Sequence, residues 1–206
     1  MKLSDIKGKE FFAKGHRGVL YKGRYNGQEV VIKTKREDSE AIGKIENEAR
    51  FLLKLNPKGI GPELISYNKA KDYIVYNYIE GEFFPIFLEK CKSKAAVLSI
   101  IKNVLQQCYQ MDKMGIDKEE MHHPYKHIII ENRSKNPVMI DFERCRHTDS
   151  AKNVTQFATY LMSKSVSDRL KAIGIKIERE KLIQAAKDYK AAQAKKSFFA
   201  ILRLLK

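Results

Sequence analysis

The stretch Tyr25-Asn26-Gly27-Gln28-Glu29-Val30-Val31-Ile32-Lys33 holds an Asn-Gly pair followed by a β-branched run that ends on a lysine. Asn-Gly between two apolar runs is a strong signal for a tight hairpin, because both turn residues tolerate positive φ. Val19, Tyr21, Arg24 and Tyr25 supply the preceding strand, so residues 10–35 read as strands. A helix follows, capped by Asp38 or Ser39 and running to about residue 55, with Ile42, Ile45, Ala49, Leu52 and Leu53 at helical spacing. Asn56-Pro57-Lys58-Gly59 ends it, and residues 64–67 and 73–79 read as two more strands. The first third is thus a small antiparallel sheet carrying one helix.

Beyond Glu80-Gly81 the character changes, which sets the expected division into residues 1–80 and 81–206. Residues 83–90 form a short apolar segment that Pro85 should break. Residues 94–113 carry Val97, Ile100, Ile101, Val104, Leu105 and Cys108 on one helical stripe, closed by Gly115. Two short strands, 128–131 and 138–141, flank a turn at 132–137, and helices are expected from about residue 153. The basic, apolar-ended tail is expected to pack on this second part and complete its core.

The 206 residues carry a net charge of +15, a balance that favours polyanions such as RNA, DNA or nucleotide phosphates, and equally serves solubility. No apolar run approaches the roughly 18 residues of a membrane span, and residues 1–12 lack a signal-peptide core. Cys91, Cys108 and Cys145 are scattered and form no CxxC pair, pointing to a reducing, cytoplasmic setting.

Four groups can carry chemistry, each with an ordinary alternative. Gly15-His16-Arg17-Gly18 would let backbone amides approach phosphates, or is a plain glycine hairpin. Lys33 would hold phosphate oxygens inside a cleft, or reach solvent from a strand end. Glu48 could pair with Lys33 from the helix, with Glu46 as the competing choice. Asp141, at the end of Val138-Met139-Ile140, could hold Mg²⁺ through hard carboxylate oxygen, or cap a turn. His122, His123, His127, Cys145 and His147 invite a zinc reading, against which Pro124 disrupts helical presentation of His123 and His127.

Taken in order, these pieces resemble the protein-kinase-like superfamily over roughly residues 11–145. The similarity is nearest to small archaeal serine/threonine kinases related to the RIO and KEOPS kinases. The resemblance implies an α+β, two-lobed protein-kinase-like fold. It also implies an ATP- and Mg²⁺-dependent phosphotransferase acting on a serine or threonine hydroxyl. It would place Gly15 and Gly18 over the phosphates, Lys33 on the α and β phosphates with Glu48 as its partner, Tyr76 and Tyr78 along the adenine, and Asp141 on the metal. Contact with RNA or a ribonucleoprotein through the basic surface is a further expectation from such relatives.

Four departures qualify it. His127 stands where the family has a metal-binding asparagine, and becomes the second metal candidate although imidazole suits Mg²⁺ poorly. Five residues earlier stands His122, so Glu120 becomes the candidate base, in a loop two residues longer, unless it is merely solvated. Glu143 replaces the glycine after Asp-Phe; it could add a carboxylate near the cation or bridge Arg144 or Arg146. No Ala-Pro-Glu motif follows. A small-molecule hydroxyl is therefore an alternative acceptor, and a nucleotide-binding pseudokinase or ATPase-like switch an alternative role.

Overall fold

The computed structural model describes residues 1–15, 18–36 and 44–206, in two compact units. The proposed cap at Asp38 or Ser39, the apolar Ile42 and the His16-Arg17 pair lie outside the described residues. The first unit comprises Met1–Glu80 with Met139–Cys145. It holds β1 (Lys7–Lys14), β2 (Gly18–Tyr25), β3 (Gln28–Lys35), helix α1 (Lys44–Leu55), β4 (Leu64–Asn68) and β5 (Tyr73–Asn77). The strands form one antiparallel sheet in the order β1-β2-β3-β5-β4.

Asn26 and Gly27 have φ of 48° and 81°, the two positive values that an Asn-Gly hairpin turn requires. The turn pairs Tyr25 with Gln28 and so sets the whole β2–β3 register, which places Leu20 opposite Lys33. Strand alternation then separates two faces. Val30 and Ile32 join Ile6, Tyr73 and Val75 in a buried cluster on one of them. Burying each such aliphatic side chain contributes about 1.5–3 kcal/mol. Val31 and Lys33 point to the opposite side.

Helix α1 packs on β3, β4 and β5, burying Ile45, Glu48, Ala49, Leu52 and Leu55. Asn56 knits the exit: its amide donates to the carbonyls of Ile60 and Pro62, and its oxygen accepts from Leu64 N–H. Gly61 then adopts φ of 83°. A Cβ there would lie 2.7 Å from Leu52 Cδ2 and 2.9 Å from Phe142 Cε2, both fully buried. Gly61→Ala therefore combines left-handed strain with overpacking. A loss of about 1–3 kcal/mol is expected in urea denaturation; an unchanged midpoint would contradict this packing.

The second unit comprises Gly81–Val138 and Arg146–Lys206. It holds β6 (Gly81–Phe83), α2 (Phe84–Lys90), α3 (Lys94–Lys113), β7 (Ile116–Asp117), β8 (Ile128–Glu131), all but the last residue of β9 (Pro137–Met139), β10 (Arg146–His147) and four further helices. These are α4 (Asn153–Leu161), α5 (Lys164–Ala172), α6 (Arg179–Ala192) and α7 (Lys195–Arg203). Helix α3 has the expected limits; the Ser93 hydroxyl caps it by accepting from Ala96 N–H, and its apolar stripe is buried.

Pro85 does not break residues 83–90. It occupies the first turn of α2, where its missing N–H costs nothing. The strand expected over residues 138–141 stops at Met139, because Asp141 takes φ of 63°, which no strand accommodates. The tail folds back as expected: Phe198 of α7 stacks on Tyr109 of α3 with centroids 4.3 Å apart, and Ile201 and Leu205 are buried. Deeper in this unit Asp112 accepts from Asn153 N–H, Asn153 Nδ2, Val154 N–H and Tyr189 Oη, and Asn153 Oδ1 accepts from Lys118 N–H. Cys91, Cys108 and Cys145 are free thiols. Among the described residues no helix is long and apolar enough to cross a membrane.

Candidate functional site

Lys33 is 8% exposed, on the face of β3 away from the Val30–Ile32 cluster. Its Nζ lies 2.6 Å from Glu48 Oε2, 3.0 Å from Asp141 Oδ1 and 3.2 Å from Glu143 Oε2. All four residues belong to the first unit. Of the two glutamates the sequence left open, Glu48 takes Lys33, because it shares the inward stripe with Ile45 and Leu52. Glu46 faces outward and bridges Lys69 at 2.9 Å. Glu143, for which Arg144 and Arg146 were the alternatives, also reaches Lys33, while Arg146 bridges Asp117 in the second unit.

One ammonium among three carboxylates leaves a formal charge of −2. Burial is the largest influence on Lys33 and favours its neutral form. The pull of Glu48, Asp141, Tyr76 and Glu143 outweighs it, and the pKa ends well above the ordinary lysine value. Burial also raises the Glu48 carboxyl; Lys33 opposes this, while Asp141 and Glu143 add to it. The Tyr76 phenol is pushed far up, first by burial and then by Glu48.

Glu48, Asp141 and Glu143 each offer an oxygen, and these atoms all lie within 4.8 Å of one another. Among the described residues this is the one group of three candidate metal ligands. Its all-carboxylate chemistry suits a hard divalent cation such as Mg²⁺, and the excess negative charge favours one. Three of the histidines that invite a zinc reading have other contacts. His123 stacks on Tyr125 at 5.9 Å and meets His122 at a tilt with centroids 4.6 Å apart, and His127 Nε2 sits 3.1 Å from Glu120 Oε2. His127, expected as a metal ligand, thus has a carboxylate partner in the second unit and belongs to no such group.

Gly18 is required locally. A Cβ there would lie 3.0 Å from the Thr34 carbonyl and 3.4 Å from Lys33 Cε, so glycine gives the lysine stem its path. Gly15 N–H donates to the Gly18 carbonyl at 2.8 Å. Tyr76 pairs with Val31 across β3–β5 and so shares the face of Lys33. Tyr78 meets Phe12 edge-on at 5.7 Å and carries Lys22 Nζ over its ring at 4.0 Å. Phe12, Lys22 and Asn47 were not singled out from sequence. For Phe12 and Lys22 the available signal was strand alternation; for Asn47 there was none.

No protein-family model matches the chain, and no curated protein matches it. Solved structures do. The autoinhibited serine kinase domain of the giant muscle protein titin aligns with a TM-score of 0.60 at 13% identity, over 72% of this chain and 48% of that one. The fold is protein-kinase-like. The chain spans about half the length of the titin domain. Within that fold, Lys33 on a central strand and Glu48 on the adjoining helix form a buried ion pair.

Proposed function

We propose that this chain is an ATP-dependent phosphotransferase that moves the γ-phosphate to a hydroxyl, with a protein serine or threonine as the preferred acceptor. The observation that carries the proposal is the buried Lys33 held against Glu48, Asp141 and Glu143 in a kinase-like fold. Kinship with the RIO and KEOPS kinases belongs to the same proposal.

Lys33 would hold the α and β phosphates, and Glu48 fixes its position. Gly15 and Gly18 leave the backbone accessible to phosphate oxygens. Tyr76 and Tyr78 would flank the base. Asp141 and Glu143 would hold Mg²⁺, their oxygens matching its preference for hard ligands. What the cation supplies when bound is neutralisation of charge on the transferring group. Glu120 would accept the proton of the attacking hydroxyl, with His127 fixing its orientation.

A second reading, a nucleotide-binding switch without transfer, is favoured by one feature. Glu120 is already engaged by His127, in a loop that carries no aspartate where the family has its base.

The test is Mg²⁺-dependent transfer from γ-labelled ATP to the chain itself, a protein mixture or small alcohols. Wild type, Lys33→Ala and Glu120→Gln are compared. Label that disappears with Lys33→Ala and falls about 10²–10⁴-fold with Glu120→Gln supports the proposal and the base. ATP bound by the wild type with neither transfer nor hydrolysis supports the switch.

A further inference from the structure

Asp141 holds a left-handed backbone, φ of 63°, in a residue that carries a Cβ. Such a conformation persists only where its surroundings over-determine it. Two anchors do so here, one between the two carboxylates in the chain and one at the backbone from Glu143 to Cys145. The first is Phe142, fully buried, whose ring fills the space that Gly61 leaves beside Leu52.

The second anchor is Asn47, the residue before Glu48 on α1. Its Nδ2 donates to the Glu143 carbonyl at 3.0 Å and to the Cys145 carbonyl at 2.8 Å. A primary amide has two N–H donors, and both are used. Its Oδ1 accepts from Arg50 Nη2 at 2.6 Å, one helical turn on, which sets the amide with its nitrogen toward the two carbonyls. The helix that delivers Glu48 to Lys33 is thereby tied to the segment that delivers Asp141 and Glu143.

We propose that Asn47 is a positioning residue, a clamp that preassembles the three carboxylates around Lys33 by joining α1 to the Asp141–Cys145 backbone. Its consequence for catalysis rests on the phosphotransferase reading; the clamp itself does not. Only an amide meets the geometry. Aspartate at position 47 would set oxygen against two carbonyl oxygens, so Asn47→Asp is expected to be harsher than Asn47→Ala although its volume is nearly unchanged.

The experiment compares wild type, Asn47→Ala, Asn47→Asp and the milder Arg50→Ala, which removes the orienting group at an exposed position together with its contact over the Phe51 ring. Amide hydrogen exchange is followed in the peptide covering residues 141–145, with β3 as internal control. Exchange at least about tenfold faster in Asn47→Ala, faster still in Asn47→Asp and intermediate in Arg50→Ala, with β3 unchanged, is expected. In the transfer assay, half-saturating Mg²⁺ should rise about fivefold and kcat should fall, while the nucleotide KM moves less than about twofold. A merely structural role would not produce that split. Wild-type exchange at residues 141–145 in the variants overturns the clamp, as does an unshifted Mg²⁺ dependence in an active enzyme. Should Asn47→Ala not fold, Arg50→Ala decides by the same measurements. A wild type that binds no nucleotide would sink the proposed function, and exchange would still decide the clamp.

Discussion

Lys33→Met is expected to lower stability by about 3–5 kcal/mol, because it removes the cation from a buried cluster and leaves three carboxylates facing one another. For a chain of this size that corresponds to a fall in Tm of roughly 6–20 °C. The pH dependence should change with it. In the wild type the Lys33 pKa is raised, so its contribution is complete below the unfolded value of about 10.4 and is lost as pH rises through the folded value. The variant lacks that alkaline step.

In the variant Glu48 keeps the burial that raises its pKa and loses the ammonium that lowers it. Its folded state then binds the extra proton, so stability falls as pH rises from about 4.3 through the new folded value. Lys33→Met should accordingly recover on acidification, and Lys33→Met with Glu48→Gln should recover at neutral pH. Thermal unfolding between pH 5 and 8 checks the recovery, and unfolding above about pH 10.4 checks the missing alkaline step. A variant melting within about 2 °C of wild type at pH 7 would show that the cluster is not electrostatically coupled.

Asp141→Asn is expected to act in the opposite sense on stability and more strongly on function. The substitution takes the cluster from a formal −2 to −1 and keeps the side-chain shape. Asparagine also tolerates the left-handed backbone at this position. Tm should therefore hold or rise. Under the proposed function, Mg²⁺-dependent transfer should drop at least about 100-fold, since a carboxylate that holds the cation acts on charge developing in the transition state. Magnesium should also raise the wild-type Tm, as about 2.7 kcal/mol of stabilisation follows at a hundredfold excess over Kd, and should leave the variant unmoved. Transfer within about tenfold of wild type in Asp141→Asn would remove this residue from the metal site.

These two residues also mark how far local pattern reaches. Asn26-Gly27 and the run up to Lys33 specify a hairpin and a register through positive φ and period-two alternation, both properties of adjacent residues. Helix α3 was legible because its apolar stripe recurs without interruption over its length. Glu48 could be narrowed to two choices by the same periodicity, and burial on the inward stripe decided it.

Other features depend on partners far along the chain. Asp141 meets Lys33 across 108 positions, and Asn47 clamps carbonyls 96 and 98 positions away. Neither shows in a window of ten or twenty residues. Pro85 reads as a breaker until its place in the first turn of α2 is known. The two-residue pair β7–β10 is too short to carry any period at all. The sequence by itself determined the β2–β3 hairpin, the strands that became β4 and β5, the long helix and the residue types able to bind phosphate and cation, because periodicity and turn chemistry are local. Tertiary structure alone decided that Glu143 joins Lys33, that His127 engages Glu120 and that Asp141 leaves the strand, because packing selects among contacts that local pattern permits equally.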